Sequence, residues 1–192
     1  MRHDNFIPVL REVELHHRGR LVHWWADDAI YFVTFRLADA LPRNIARELA
    51  AERDRLLKTA DTRAQEAVIL RMYGEQLDKH LDRGYGSCLL REHGQIVADA
   101  LLHFNGVRYQ LHAWCVMPNH VHVLVHLTRG ADLPRTLHSW KSFTAHVINC
   151  GHIWQFEYYD RCIRTPREHA DTAEYIRRNP EAAGLRDWKW VG

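Results

Sequence analysis

Apolar residues fall along this chain in two periods, and the changes of period mark its elements. The run IYFVTFRL at 30–37 is β-branched and aromatic, which predicts a first strand. Behind Pro42 the chain is rich in Ala, Leu, Glu and Arg to about 58, as a helix would be. A second helix is expected over about 62–80, where Ala67, Leu70, Tyr73 and Leu77 recur at intervals of three and four. Ala60-Asp61-Thr62 offers its N-cap turn. Glycines in GYGS at 84–87 break the pattern, and a third helix follows over about 92–104, closed by Asn105-Gly106.

The pattern then switches to alternation. Residues 109–117 and 120–127 read as two strands, with Pro118-Asn119 between them as the turn of a hairpin. Residues 133–149 read as a helix with Leu137, Trp140, Phe143, Thr144 and Val147 on its apolar side. The stretch 153–164 is a short strand or an irregular segment. Pro166 opens a last helix, expected to end near Arg178 because Pro180 cannot continue it. This order of elements predicts an α+β fold with one antiparallel sheet and helices packed against it. We read residues 1–192 as a single domain, with the paired helices at about 43–82 as an insertion beside its core.

Composition narrows the field. A chain of 192 residues, 46% hydrophobic and 26% charged, has enough apolar material for a core without metal or disulfides. No run approaches 18 apolar residues, which argues against a membrane span. The first five residues have no apolar stretch behind them, so no export signal is expected. Cys88, Cys115, Cys150 and Cys162 form no C-x-x-C pair, which fits reduced thiols in a cytoplasm better than a zinc ribbon. Cys115 sits in an apolar run and reads as core.

A net charge of +2 does not by itself point to nucleic acid. Its distribution does more. Lys141, Arg161, Arg164, Arg167, Arg177, Arg178 and Arg186 are interleaved with Trp154, Phe156, Tyr158, Tyr159 and Trp188. Cations and aromatic rings together suit a phosphate backbone and unstacked bases.

Two constellations carry candidate chemistry. His120 and His122 share one face of the expected strand, and two imidazoles one strand step apart can bind one divalent ion. Among fifteen histidines such a pair also arises by accident. His126 shares their parity but lies further along, as a flanking residue, and His16-His17 reads as a solvated arm. In the last helix Tyr175 and Asn179 lie one turn apart on one face. If that face looks at the histidines, Asn179 offers a carbonyl oxygen to an ion and Tyr175 a phenol beside it.

The run WCVMPNHVHVLV at 114–125 resembles the HUH motif of the IS200-like tyrosine transposases. GHIWQFEYYDRCIR at 151–164 is similar to their Trp-Gln…Tyr-x-Asp…Ile-Arg block, and YIRRNPEAAGL at 175–185 to their Tyr-Ile-x-x-Asn-Pro…Ala-Gly-Leu signature. KSFTA at 141–145 and YFVTFR at 31–36 extend the likeness, which is greatest to the REP-associated tyrosine transposases. The resemblance implies a ferredoxin-like antiparallel sheet, His120 and His122 as metal ligands with Asn179 as the third, and Tyr175 as nucleophile. It implies Mg²⁺ or Mn²⁺ as cofactor and single-stranded or hairpin DNA as partner, with the protein a monomer or a homodimer. Attack by Tyr175 would leave a 5′-phosphotyrosine and a free 3′-OH, and a second 3′-OH could reverse the step without ATP. Lys141, Arg161, Arg164, Arg177 and Arg178 are candidate phosphate contacts. Three alternatives stay open: a non-catalytic DNA- or RNA-binding module of the same fold, a zinc hydrolase built on H-x-H, and thiol chemistry at Cys115.

Overall fold

Strand β5 (His120–Leu127) is buried along its whole length except at His126, because helices cover both faces of the sheet it centres. The computed structural model describes residues 14–18, 21–25 and 28–192, with side chains from Asp28 onward. The reading of the first five residues lies outside them. The sheet contains β3 (Ile30–Arg36), β4 (Tyr109–Val116), β5 and β6 (Tyr159–Cys162) in the order β4-β5-β3-β6, all antiparallel. Helices α1 (Arg43–Leu57), α2 (Arg63–Leu81) and α3 (Leu90–His103) lie between β3 and β4 in sequence. Helix α4 (Leu133–Ile148) joins β5 to β6, and α5 (Pro166–Ala182) follows.

Taken as β3-α3-β4-β5-α4-β6, this is a ferredoxin-like unit with the outer strands reached by crossovers, as the sequence led us to expect. Helices α1 and α2 are two more than that unit needs. An antiparallel pair precedes it, β1 (Glu14–Arg18) and β2 (Leu21–Trp25), with His16 opposite His23 and His17 opposite Val22. His16 and His17 are therefore strand residues.

Alternation divides the sheet into an apolar and a polar face. On one, Tyr31, Val33 and Phe35 pair with Val125, Val123 and Val121. Phe35 packs on Trp140 of α4 and on Trp154, and Trp140 Nε1 donates to Tyr109 Oη, which donates to Leu101 O of α3. On the other, Phe32 and Thr34 pair with Leu124 and His122. There Tyr175 of α5 meets Phe32 edge-on with ring centroids 6.1 Å apart. The β4 register shifts by one between Leu111 and Ala113, so His112 is the extra residue of a bulge. Residues 190–192 pair with the outer edge of β4 through Val116 N–H to Trp190 O and reciprocal bonds between Trp114 and Gly192.

Two expectations are corrected. Helix α5 does not stop at Arg178 but runs through Pro180 to Ala182. Pro180 forfeits one hydrogen bond, yet the end is closed by a Schellman pair, Leu185 N–H to Pro180 O and Gly184 N–H to Glu181 O. Gly184 takes the positive φ of 75° this cap needs. On α4 the buried stripe is Leu133, Leu137, Trp140, Thr144 and Ile148, while Phe143 and Val147 are exposed. Thr144 is inside because its hydroxyl donates to Trp140 O and accepts from Trp154 Nε1. The stripe is thereby turned away from 143 and 147.

Helix α2 starts in a capping box, with Thr62 Oγ1 accepting from Gln65 N–H and Gln65 Oε1 accepting from Thr62 N–H. It then crosses the polar face so closely that a Cβ on Gly74 would lie 2.5 Å from Tyr159 Cζ. Tyr159 is buried and held by ring contacts with Phe32 and Tyr73, so it cannot step aside. Gly74→Ala is expected to lower stability by about 1–2 kcal/mol despite alanine's better helix propensity. Urea unfolding checks this as a lower midpoint at unchanged slope.

Candidate active site

The polar face converges on His120 and His122. Both imidazoles are fully buried, and their Nε2 atoms face each other at 3.0 Å. Each Nδ1 has its own partner. Asn119 Oδ1 lies 2.8 Å from Nδ1 of His120, and Thr34 Oγ1 lies 2.9 Å from Nδ1 of His122. Asn119 Nδ2 donates to Leu81 O and Tyr85 O, which identifies its Oδ1 as the acceptor and places the His120 proton on Nδ1. Burial pushes the His122 pKa down to about 3 and that of His120 well below its ordinary value, in the latter with help from the neighbouring ring. Both imidazoles are therefore neutral, the state in which they can donate a lone pair.

Helix α5 lays Tyr175 against this pair, with its ring edge-on to His122 at 5.6 Å. The ring is part-exposed, but its hydroxyl is tucked inward. It donates to Asp78 Oδ2 at 3.0 Å and accepts from Asn179 Nδ2 at 3.2 Å. That leaves Asn179 Oδ1 buried without a hydrogen-bond partner, and Asp78 Oδ1 likewise. Burial, then the charges of Asp78 and Asp82, push the phenol pKa far above its ordinary value. Burial also pushes Asp78 up to about 8 and Asp82 up to about 6. Asp82 Oδ1 lies 3.7 Å from His120 Nε2.

These donors suit a divalent ion of borderline character. Two neutral imidazoles are each oriented through the far nitrogen by a hydrogen bond, and an amide oxygen lacks a partner. Among the described residues no group of three or more His, Cys, Asp or Glu side chains forms a metal cage. The oxygen of Asn179 thus matters to any such site.

The candidate phosphate contacts are placed unevenly. Arg161 lies beside Tyr175, over the Phe32 ring, ion-paired with Glu168 and donating to Thr172 Oγ1. Arg164 follows at the exposed end of β6, where its backbone N–H donates to Glu168 Oε2. Arg177 donates to His112 O, and Arg178 pairs with Glu174 along the exposed side of α5. Lys141 is not on this face. Its ammonium donates to Gln155 O and Phe156 O on the α4 side, and burial lowers its pKa to about 8. Arg71, Lys79 and Arg167 instead line, with Arg161, the open groove between α2 and α5 that leads to Tyr175.

His126 is a flanking residue as expected, half-buried and bonded to Asp28 Oδ1 at 2.8 Å. The four cysteines are free thiols, and burial pushes Cys115 far above its ordinary pKa, which removes thiolate chemistry there. Sequence reading missed Asn119, Thr34, Asp78 and Asp82. Asn119 was legible as a turn residue only, and Thr34 as one of several strand positions. The spacing of Asp78 and Asp82, one helical turn apart, was a signal that could have been used.

Residues 95–179 match the family described as Transposase IS200 like. Over that segment the chain is similar to the IS200-like transposases. The REP-associated tyrosine transposase of Escherichia coli (strain K12) is 29% identical over 113 residues, covering 55% of this chain and 68% of that protein. The solved structure of a REP-associated tyrosine transposase bound to a REP hairpin has the same fold, with a TM-score of 0.59 at 19% identity. It covers 92% of this chain and 81% of that one. His120, His122, Tyr175 and Asn179 all fall in the matched segment, whereas α2 with Asp78 and Asp82 precedes it. No helix among the described residues is long and apolar enough to cross a membrane.

Two measurements test this geometry. Asn119→Ala would leave His120 Nδ1 unpaired and take the amide donor away from Leu81 O and Tyr85 O, and a loss of roughly 2–4 kcal/mol in denaturant unfolding is expected. In chelator, both buried imidazoles must stay neutral in the fold while the unfolded chain protonates near its ordinary pKa of 6.5. Their contribution is therefore complete above pH 6.5 and is lost as pH falls toward 3. The slope would be up to about 1.4 kcal/mol per pH unit per ring. His122→Asn is expected to flatten that slope.

Proposed function

We propose that the protein is a metal-dependent single-stranded DNA endonuclease and strand transferase acting through a 5′-phosphotyrosine, on hairpin-forming repeat DNA. The observation that carries this reading is the phenol of Tyr175 lying edge-on to a buried, neutral His120–His122 pair. A module that only bound DNA would have no need to desolvate two imidazoles beside a tyrosine. The transposase family, and the REP hairpin held by the structural neighbour, support DNA as substrate.

In this reading His120, His122 and the oxygen of Asn179 would hold Mg²⁺ or Mn²⁺. When bound, the ion would supply Lewis-acid stabilisation of charge on the scissile phosphate. Asn119 fixes the tautomer and orientation of the His120 ring, and Thr34 the orientation of the His122 ring. Tyr175 Oη attacks phosphorus, the P–O3′ bond breaks, and the 3′-oxygen leaves to become a free hydroxyl. The phosphotyrosine keeps the energy of the phosphodiester, so a second 3′-OH can displace Tyr175 and join two ends. Arg161 in the groove of the nucleophile, Arg164 beyond the end of β6, and Arg177 and Arg178 along α5 are the proposed phosphate contacts. Lys141, on the far side of the sheet, would act only on DNA that wraps beyond it. We read residues 1–192 as one domain with α1 and α2 inserted, acting in the cytoplasm at the nucleoid as a monomer or homodimer.

Covalent capture tests this. The protein, Mn²⁺ and labelled single-stranded oligonucleotides tiling the DNA around its gene are expected to give a labelled protein band on a denaturing gel. Tyr175→Phe and EDTA should each abolish it, and His122→Ala should lower its rate by at least about 100-fold. DNA retarded in a native gel without a covalent band under any divalent ion would instead identify a binding module.

A further inference from the structure

Helix α2 brings a carboxylate from outside the matched transposase segment to the nucleophile itself. Asp78 is buried on the face of α2 that meets the sheet, and its Oδ2 accepts the hydrogen bond of Tyr175 Oη at 3.0 Å. Neither histidine competes for that proton. The two Nε2 atoms face one another, and each Nδ1 is engaged by Asn119 or Thr34. Asn179 approaches the phenol oxygen as a donor and cannot take a proton from it.

A phenol of ordinary pKa is only about one part in a thousand ionised at pH 7. The proton must therefore leave as the O–P bond forms, and the acceptor it already faces is Asp78 Oδ2. We propose that Asp78 is the general base that takes the Tyr175 proton during cleavage and returns it during joining. This rests on Tyr175 being the nucleophile.

The step balances. The Tyr175 O–H bond breaks and its proton moves to Asp78 Oδ2, while the Oη electron pair forms the bond to phosphorus. The P–O3′ bond breaks with its electron pair on the 3′-oxygen, which takes a proton from water. On joining, the incoming 3′-OH gives up its proton to water, and the departing Tyr175 oxygen recovers its own from Asp78. Gly74, with no side chain to collide with Tyr159, lets α2 come close enough for this contact. Glu75 and Asp82 on α2 and Arg161 on β6 are the charged groups around Asp78. Burial dominates over them and raises its carboxyl to about 8, a proton affinity suited to exchange near neutral pH.

The test compares wild type with Asp78→Asn, which keeps the size of the side chain and can still accept a hydrogen bond. Each is made with tyrosine and with 3,5-difluorotyrosine, a more acidic phenol, at position 175. Adduct formation is timed with Mn²⁺ and the same oligonucleotides, and native-gel retardation and melting temperature are recorded beside it. Asp78→Asn is expected to slow the adduct by about 100- to 10,000-fold with DNA retention unchanged. Difluorotyrosine should restore much of that loss, since a more acidic phenol needs a base less. An Asp78→Asn adduct rate close to wild type, or a loss that the fluorinated phenol does not relieve, would overturn the base role while leaving Tyr175 as nucleophile. A wild-type protein that forms no adduct would overturn the nuclease reading and the base role together.

Discussion

Two imidazoles buried side by side on β5 impose the constraint from which the rest of this site follows. A buried ring nitrogen without a partner is costly, so each Nδ1 must find one, and the two partners come from different places in the chain. Thr34 reaches His122 only in the observed pairing of β3 with β5, and Asn119 reaches His120 only from the hairpin turn. A slip of one residue would turn both rings toward α4 and exchange them with valines. The same Asn119 amide donates to Leu81 O and Tyr85 O, where α2 ends. The residue that orients a candidate metal ligand therefore also anchors the helix that delivers Asp78 and Asp82.

What could be read from the sequence was what depends on short range. The alternation of HVHVLVHL put both histidines on one face, and the four-residue interval put Tyr175 and Asn179 on another. Loop glycines and Thr62 marked element ends to within a residue or two. Pro180 misled because its local penalty is real, but a Schellman cap four residues on outweighs it. Phe143 and Val147 misled because a hydroxyl paired with Trp154 takes the inward position beside them. Lys141 was counted with the arginines by charge, whereas its partners are carbonyls on the other side of the sheet. Asp78 was visible as half of an acidic pair one helical turn apart, but its destination was not. It meets Tyr175 across 97 residues of chain, and nothing in the spacing of α2 says which strand it will cross.

The two helices that grip the polar face have unlike tasks. Helix α5 carries the phenol and amide on adjacent turns of one face, so their relative position is fixed by helix geometry alone. Helix α2 must be placed by packing, and its contact with β6 is set by Gly74 against the Tyr159 ring. An error of about 1 Å in that packing would separate Asp78 from Tyr175 without unfolding anything. Precision at the nucleophile thus depends on a glycine about 6 Å of helix rise from the carboxylate it serves.

The energetics of Asp78 argue that it is kept for something other than stability. Its carboxyl is pushed from an ordinary value of 3.8 to about 8, chiefly by burial. A carboxyl whose pKa rises on folding costs nothing below pH 4, where both states are protonated. Above that the unfolded chain gains by ionising, and the fold loses stability until the buried group ionises as well. By pH 7 the penalty is on the order of a few kcal/mol. An asparagine or a leucine at position 78 would avoid it, and neither would strain the helix. The tyrosine does not need the bond to stay in place, since its ring already packs on Phe32 and His122. A destabilising carboxylate aimed at a phenol, beside two imidazoles that burial keeps neutral, is the pattern of a site where proton transfer matters more than the strength of the fold.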